Sequence, residues 1–186
     1  MTRLDLDPLT LGSGDLGNLY SEMSDELAWS ILDAAWDGGI RSFDTAPHYG
    51  LGLAERRLGA FLQTKPRDSY VLSTKAGRLL RPNPGSENLQ DDEGFAVPAV
   101  TRRVWDCTPT GVRASLEESL TRLGLDRVDI LYLHGPQTYV VPSGARYEHA
   151  PAPADVLARA RRLAAVCAEH GVPLPTAALH LSLIHI

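Results

Sequence analysis

Ile40-Arg41-Ser42-Phe43 runs directly into Asp44-Thr45-Ala46-Pro47-His48-Tyr49-Gly50, a short apolar segment that opens into a polar, turn-rich loop. The same grammar returns twice. Tyr70-Val71-Leu72-Ser73-Thr74 precedes Lys75, and Val128-Asp129-Ile130-Leu131-Tyr132-Leu133 precedes His134. Helix-period segments lie between these runs, and a strand that returns parallel to its neighbour needs such a crossover. Consecutive strands of a β/α barrel release their chains at one face, so Asp44, Tyr49, Lys75 and His134 are expected to converge there.

Upstream, Leu9-Thr10-Leu11 reads as a first strand and leads into Gly12-Ser13-Gly14-Asp15-Leu16-Gly17, which spells GxGxxG. In a dinucleotide-binding Rossmann unit that run must open directly into a helix whose N-terminus holds the pyrophosphate. Here Asn18-Leu19-Tyr20-Ser21 intervenes, and glycines that let the chain turn tightly after a strand are the better account. The first helix is expected from Ser24 as N-cap, with Asp25 and Glu26 in its first turn. Its apolar face reads as Leu27, Ile31, Ala34 and Ala35, and Gly38-Gly39 ends it. A second helix places Ala54, Leu58, Phe61 and Leu62 inside and Glu55, Arg56 and Arg57 outside. A third shows Val112, Leu116, Leu120 and Leu123 on one face, Thr110 as N-cap and Gly124 at its stop.

Between Ala76 and Thr108 the regularity lapses. The stretch holds prolines 82, 84 and 98, an acidic Asp91-Asp92-Glu93 cluster and the aromatics Phe95 and Trp105. A loop this long is a substrate lid or a floppy insertion, and the residues leave both readings open. From Gly135 to Pro153 there are four more prolines and no strand and helix pair. One further helix follows, with Val156, Ala160, Leu163, Ala164 and Cys167 on a face and Gly171 at its end, then an apolar tail from Ala177 to Ile186.

The expected fold class is therefore α/β, a partial (β/α)8 barrel. It is read as a single incomplete domain over 1–186: β/α units one to four over 1–134, an irregular junction over 135–153, and a C-terminal helical segment over 154–186. A complete barrel has eight strands and about 250 residues. A part of one exposes sheet edges through which two copies can pair, so self-association is an expectation.

Composition excludes several classes of partner. With 186 residues and 44% hydrophobic content the chain supports one sizeable core. A net charge of −5 with interspersed charges leaves no basic stripe for a nucleic acid. Two cysteines, Cys107 and Cys167, form neither a disulfide framework nor a metal-ligand spacing, and fit a reducing compartment. Met1-Thr2-Arg3-Leu4-Asp5-Leu6-Asp7 carries acids and no long apolar segment, so no membrane partner and a cytoplasmic location are expected.

Singly, the four strand-end residues have ordinary explanations: a turn aspartate, a packed tyrosine ring, a solvated lysine, a hydrogen-bonded histidine. Jointly they describe a carbonyl-reducing site. A phenol, with an ordinary pKa near ~10, donates a proton to a developing alkoxide more readily beside a cation that favours its ionised form. Lys75 is that cation, Asp44 pairs with it, and His134 orients the carbonyl oxygen.

At these residues the chain resembles the aldo/keto reductases. Gly39 through Gly50 looks like that family's stretch around its aspartate and proton-donating tyrosine, and Ala54-Glu55-Arg56-Arg57-Leu58-Gly59 like its following helix. Leu72-Ser73-Thr74-Lys75-Ala76-Gly77-Arg78 is similar to the lysine strand, and Ser115 through His134 resembles the segment ending in the active-site histidine. The long loop after Lys75 and Val104-Trp105-Asp106 look most like the bacterial branch that oxidises sugars such as L-fucose at C1, or related aldehydes and pyridoxal. The resemblance implies hydride transfer with NADP or NAD on a small carbonyl or sugar substrate. It makes Tyr49 the general acid or base, Lys75 and Asp44 its tuning pair, His134 the substrate-positioning residue, Asp44 also a cofactor contact and Trp105 a substrate contact. Gly144 through Pro153 and the helix to Gly171 look like the family's region after its seventh strand. Strands five to seven, with much of the cofactor pocket, are thus expected to be missing, and a non-catalytic remnant is the alternative to an oxidoreductase.

Overall fold

In a computed structural model of the chain, the described residues are 9–134, positions 146–147 and 150–151, and five helical positions between 158 and 169. The chain divides into two units, Met1–His134 and Gly135–Ile186.

The first unit is built on a four-stranded parallel sheet of order β1-β2-β3-β6. Its strands are β1 (Leu11–Gly12), β2 (Ser42–Asp44), β3 (Val71–Ala76) and β6 (Ile130–Leu133). The crossovers are α1 (Asp25–Asp37), α2 (Leu53–Leu62) and α3 (Pro109–Leu123). Strand, helix and strand alternate as in a β/α barrel, of which this sheet is a part. The register pairs Asp44 with Ser73 and Lys75 with Tyr132. Asp44 and Lys75 therefore lie inside the last turns of the ladder, whereas the sequence placed them just past it. β1 likewise begins two residues later than expected.

The core gathers Leu16, Phe43, Leu58, Phe61, Leu72 and Leu123, all buried. The buried face of α1 is shifted by one residue from the expected one: Ala28 and Leu32 are buried, Leu27 is 52% exposed and Ala34 is exposed. Trp36 sets this rotation. Its ring stacks on Phe43 at 6.3 Å and meets Phe61 and Tyr70 edge-on, so the line Ala28, Leu32, Trp36 turns inward. Ile31 instead lines an open groove beside β1 with Leu11, Leu16, Leu19 and Met23.

Helix α2 buries Ala54, Leu58, Phe61 and Leu62 as its spacing predicts, but Glu55, expected outside, is fully buried. Its carboxylate accepts from the Thr74 hydroxyl at 2.8 Å and from Arg122 Nε at 2.6 Å, tying α2 to β3 and α3. Arg57 also turns inward, donating to the carbonyls of Leu16 and Met23 and to Asn18 Oδ1. In α3 the N-cap is Thr108 rather than Thr110, its hydroxyl accepting from Gly111 N, and Gly124 ends the helix in the left-handed conformation. The buried face is Gly111, Ser115, Ser119 and Leu123, with the expected Val112, Leu116 and Leu120 only half-buried. Small residues win because α2 and α3 approach closely: a Cβ on Gly59 would lie 2.2 Å from the Leu123 carbonyl oxygen.

The stretch 76–108 is more regular than its sequence suggests. It folds as an antiparallel hairpin, β4 (Arg78–Pro82) against β5 (Thr101–Trp105). Gly77, at φ +104°, lets the chain leave β3 and enter β4 at once. The hairpin's interior is ordered by polar contacts, because Asp91 accepts from both Arg103 guanidinium nitrogens and from the Phe95 amide. Phe95 itself packs with Leu51 and Val97.

In the second unit, part of the junction expected to be irregular forms two short antiparallel strands, β7 (Arg146–Tyr147) and β8 (Ala150–Pro151). Ala158, Arg162, Ala165, Ala168 and Glu169 are helical and exposed. The apolar face expected for that helix, Cys167, the tail from Ala177 and the expected gap after His134 lie outside the described residues. Among the described residues no helix is long and apolar enough to cross a membrane.

Replacing Glu55 by Ala strips a buried carboxylate from Arg122 and should lower unfolding free energy by about 3–5 kcal/mol. Urea denaturation measures it, with the exposed Glu117→Gln as a comparison expected to stay within about 0.5 kcal/mol of the parent.

Candidate active site

The parallel ladder places Asp44 on β2 beside Ser73 and Lys75 on β3. Lys75 Nζ donates to Asp44 Oδ2 at 2.5 Å and to the Thr45 carbonyl at 3.0 Å, while Ser73 Oγ donates to Asp44 Oδ1 at 2.6 Å. Both carboxylate oxygens are thus held. The ammonium stands 4.8 Å from the centroid of the Tyr49 ring.

Tyr49 is located by its backbone. The loop after β2 lies against the loop after β1, and a Cβ on Gly17 would come within 2.6 Å of the Tyr49 carbonyl carbon and 2.7 Å of Gly50 N. The last glycine of the GxGxxG run is therefore required by this close approach. A three-residue 3-10 turn, Asp15–Gly17, follows the earlier glycines where a Rossmann unit needs a full helix.

His134 follows β6, its amide donating to the Ala76 carbonyl at 2.9 Å. Its ring lies 6.0 Å from that of Tyr49, at 76°. Asp44, Tyr49, Lys75 and His134 thus meet at one rim of the sheet. Trp105 stands further out: Arg78 stacks on its ring at 4.3 Å and in turn touches His48, and no aromatic contact joins Trp105 to Tyr49 or His134 among the described residues.

Several residues of the rim escaped the sequence reading. His48 sits between Tyr49, Phe95 and His134, with the last two rings each 5.1 Å away and nearly perpendicular. Arg78 Nη1 is 3.2 Å from His48 Nδ1 and 3.0 Å from Glu93 Oε2. Arg103 Nη2 donates to the His48 carbonyl at 3.0 Å. Adjacency to Tyr49 was the only available signal for His48, and no spacing rule connects Arg78 to Glu93 across the hairpin.

Both imidazoles are neutral. Burial pushes His134 down to about 3, helped by the positive charges of Arg78, Lys75 and Arg103. Burial likewise pushes His48 down to about 2, with Arg103 and Arg78 adding to it. A neutral His48 accepts the Arg78 N–H at Nδ1, which assigns its own proton to Nε2. The nearby Glu93 carboxylate, 3.7 Å from His48 Nδ1, is therefore no ion-pair partner near neutral pH.

A family model described as aldo/keto reductase family matches residues 8–150. The chain belongs to that family. D-threo-aldose 1-dehydrogenase of Pseudomonas sp is 59% identical over 138 residues, which cover 73% of this chain and 42% of that relative. Pyridoxal 4-dehydrogenase of Microbacterium luteolum is 41% identical over 142 residues, covering 72% of this chain and 41% of its own length. Among solved structures, an aldo-keto reductase from Bacillus halodurans in its holo form superposes with a TM-score of 0.53 at 28% identity, covering 70% of this chain and 36% of that one. This aldo/keto reductase chain spans well under half the length of these three proteins.

The two imidazoles give this reductase-family rim a defined acid response. Unfolded histidines take up protons near ~6.5, whereas the folded ones stay neutral down to about 3 and about 2. Stability from both is complete above ~6.5 and is lost as pH falls from there toward about 3. Each should steepen the loss by up to about 1.4 kcal/mol per pH unit. Urea midpoints measured between neutrality and about pH 5, above the main carboxylate range, should fall, and His48→Gln should flatten the slope by about half.

Proposed function

We propose that the protein is an NAD(P)-dependent oxidoreductase acting on an aldehyde, a ketone or the C1 hydroxyl of a sugar. The carrying observation is the Lys75 ammonium held between the Asp44 carboxylate and the Tyr49 ring. Tyr49, beside that ammonium, serves as the general base for the C1 hydroxyl proton in the oxidative direction and as the acid that returns it to the carbonyl oxygen in reduction. The nicotinamide, when bound, accepts or supplies the hydride.

The rim's residues fit such a group. The hydroxyls of Ser13 and Thr45, flanking Asp44, and the Nδ1 of His134 are buried and lack partners among the described residues, as expected of atoms that await a polar ligand. Asp44, Ser13 and Thr45 would face the nicotinamide riboside, while His134 and His48 orient the carbonyl or lactol oxygen and Trp105 walls the outer side. The relatives' names support sugar or pyridoxal substrates, and that of one Schizosaccharomyces pombe relative, 30% identical, carries NADP(+). An acidic chain with an exposed free thiol at Cys107 suits the cytoplasm. The outer strands β1 and β6 of the described sheet are the proposed route to self-association.

Mixing the chain with NADP⁺ or NAD⁺ and L-fucose should generate reduced nicotinamide. Tyr49→Phe should lower kcat by about 10²–10⁴ while leaving the cofactor Kd unchanged. Turnover equal to the parent's would remove Tyr49 from the chemistry. A second reading, a non-catalytic relative, rests on the chain's covering 42% of the aldose dehydrogenase. It predicts no binding of either cofactor in a titration.

A further inference from the structure

Among the described residues the rim holds three cations, Lys75, Arg78 and Arg103, and each is paired. Lys75 Nζ lies 2.5 Å from Asp44 Oδ2, Arg78 Nη1 lies 3.0 Å from Glu93 Oε2, and Arg103 Nη1 lies 2.5 Å from Asp91 Oδ1. Arg103 also reaches Glu93 Oε1 at 3.4 Å. These pairs are built into the fold. The Arg103 and Asp91 side chains are 6% and 3% exposed, and Asp91 is further fixed by the Glu93 and Phe95 amides. Three positive and three negative groups cancel. The rest of the described rim is built of the imidazoles of His48 and His134, the phenol of Tyr49 and the indole of Trp105.

We infer that this rim selects neutral, polyhydroxylated substrates and discriminates against carboxylate- or phosphate-bearing ones, with Glu93 as the residue that enforces the choice. The inference rests on the redox reading of the same site and names its substrate class. A sugar hydroxyl both donates and accepts, and so matches imidazole nitrogens and a phenol without needing a net charge. An anionic substituent finds no unpaired cation among the described residues. It must break one of the three pairs or lie beside Asp44, Asp91 and Glu93, and like charges brought together are strongly disfavoured. Of the three carboxylates Glu93 is the most exposed, at 33%, and it faces two arginines at once. Its removal alone would uncover a cation, Arg78, next to His48.

L-fucose, L-galactose and L-galacturonate share one ring configuration and differ at C5 as methyl, hydroxymethyl and carboxylate. Saturation-transfer NMR on the full chain with NADP⁺, near neutral pH, reads binding of each, and reduced-nicotinamide formation is followed in parallel. L-galacturonate should bind at least about tenfold more weakly than L-galactose. Glu93→Gln should shrink that gap to about threefold or less, whereas Glu118→Gln, which makes the same change in net charge beside Arg81, should leave it intact. Equal affinity for the galacturonate and the neutral sugars, or an equal response to both substitutions, overturns the inference. Selective binding of neutral sugars without any turnover overturns the redox reading and leaves the selectivity standing. No binding of any of the three overturns both.

Discussion

A half-buried ammonium organises this molecule's working face. Lys75 is carried by a strand flanked on both sides by parallel neighbours, so its charge is drawn away from water, and such a charge is tolerated only when paired and hydrogen-bonded. Asp44, one strand away, is the partner, and Ser73 takes its second oxygen. Because the pair spans β2 and β3, it holds only in the observed register: a slip by one residue would turn Lys75 to the opposite face of the sheet. The same charge lies beneath the Tyr49 ring. Fold and chemistry thus share one constraint.

The sheet was largely legible before any coordinates. Three apolar runs, each followed by a polar residue, locate β2, β3 and β6, and period-3.6 segments locate the three crossovers. Bounds were less legible, since pairing across the ladder, invisible in one chain segment, decides whether Asp44 and Lys75 lie in or beyond a strand. Helix faces were harder still. The apolar spacings of α1 and α3 were real, but Trp36 rotates one face and the Gly59 contact selects the small face of the other. Charged residues misled most. Glu55 lies in a charged run that reads as solvated, yet among the described residues it is the most buried acid because Arg122, 67 residues away, comes to meet it.

The four strand-end residues of the rim were found because each stands at or just past the end of a short apolar run, which is a local signal. His48, Arg78, Asp91, Glu93 and Arg103 were not, because their relation exists only once 76–108 folds back as a hairpin. Leu79 and Leu80 make too short an apolar run to announce β4, and its partner β5 carries Arg102 and Arg103 where a strand usually shows branched apolar residues. Polar complementarity across that hairpin supplies the order that the sequence pattern withholds. It also explains why two histidines can sit beside one another without charge: the arginines around them oppose protonation as burial does.

The contact between Gly17 and the Tyr49–Gly50 peptide has an evolutionary side. Backbone pressed on backbone leaves no side chain to absorb change, so the tyrosine of the rim is placed by a residue that carries no functional group and stands 32 positions upstream. Any side chain at position 17 would meet that peptide's backbone at once, so the position admits no added volume. A search that weighs positions by chemical capability would pass over it, and a search that weighs them by tolerated volume would rank it beside the tyrosine.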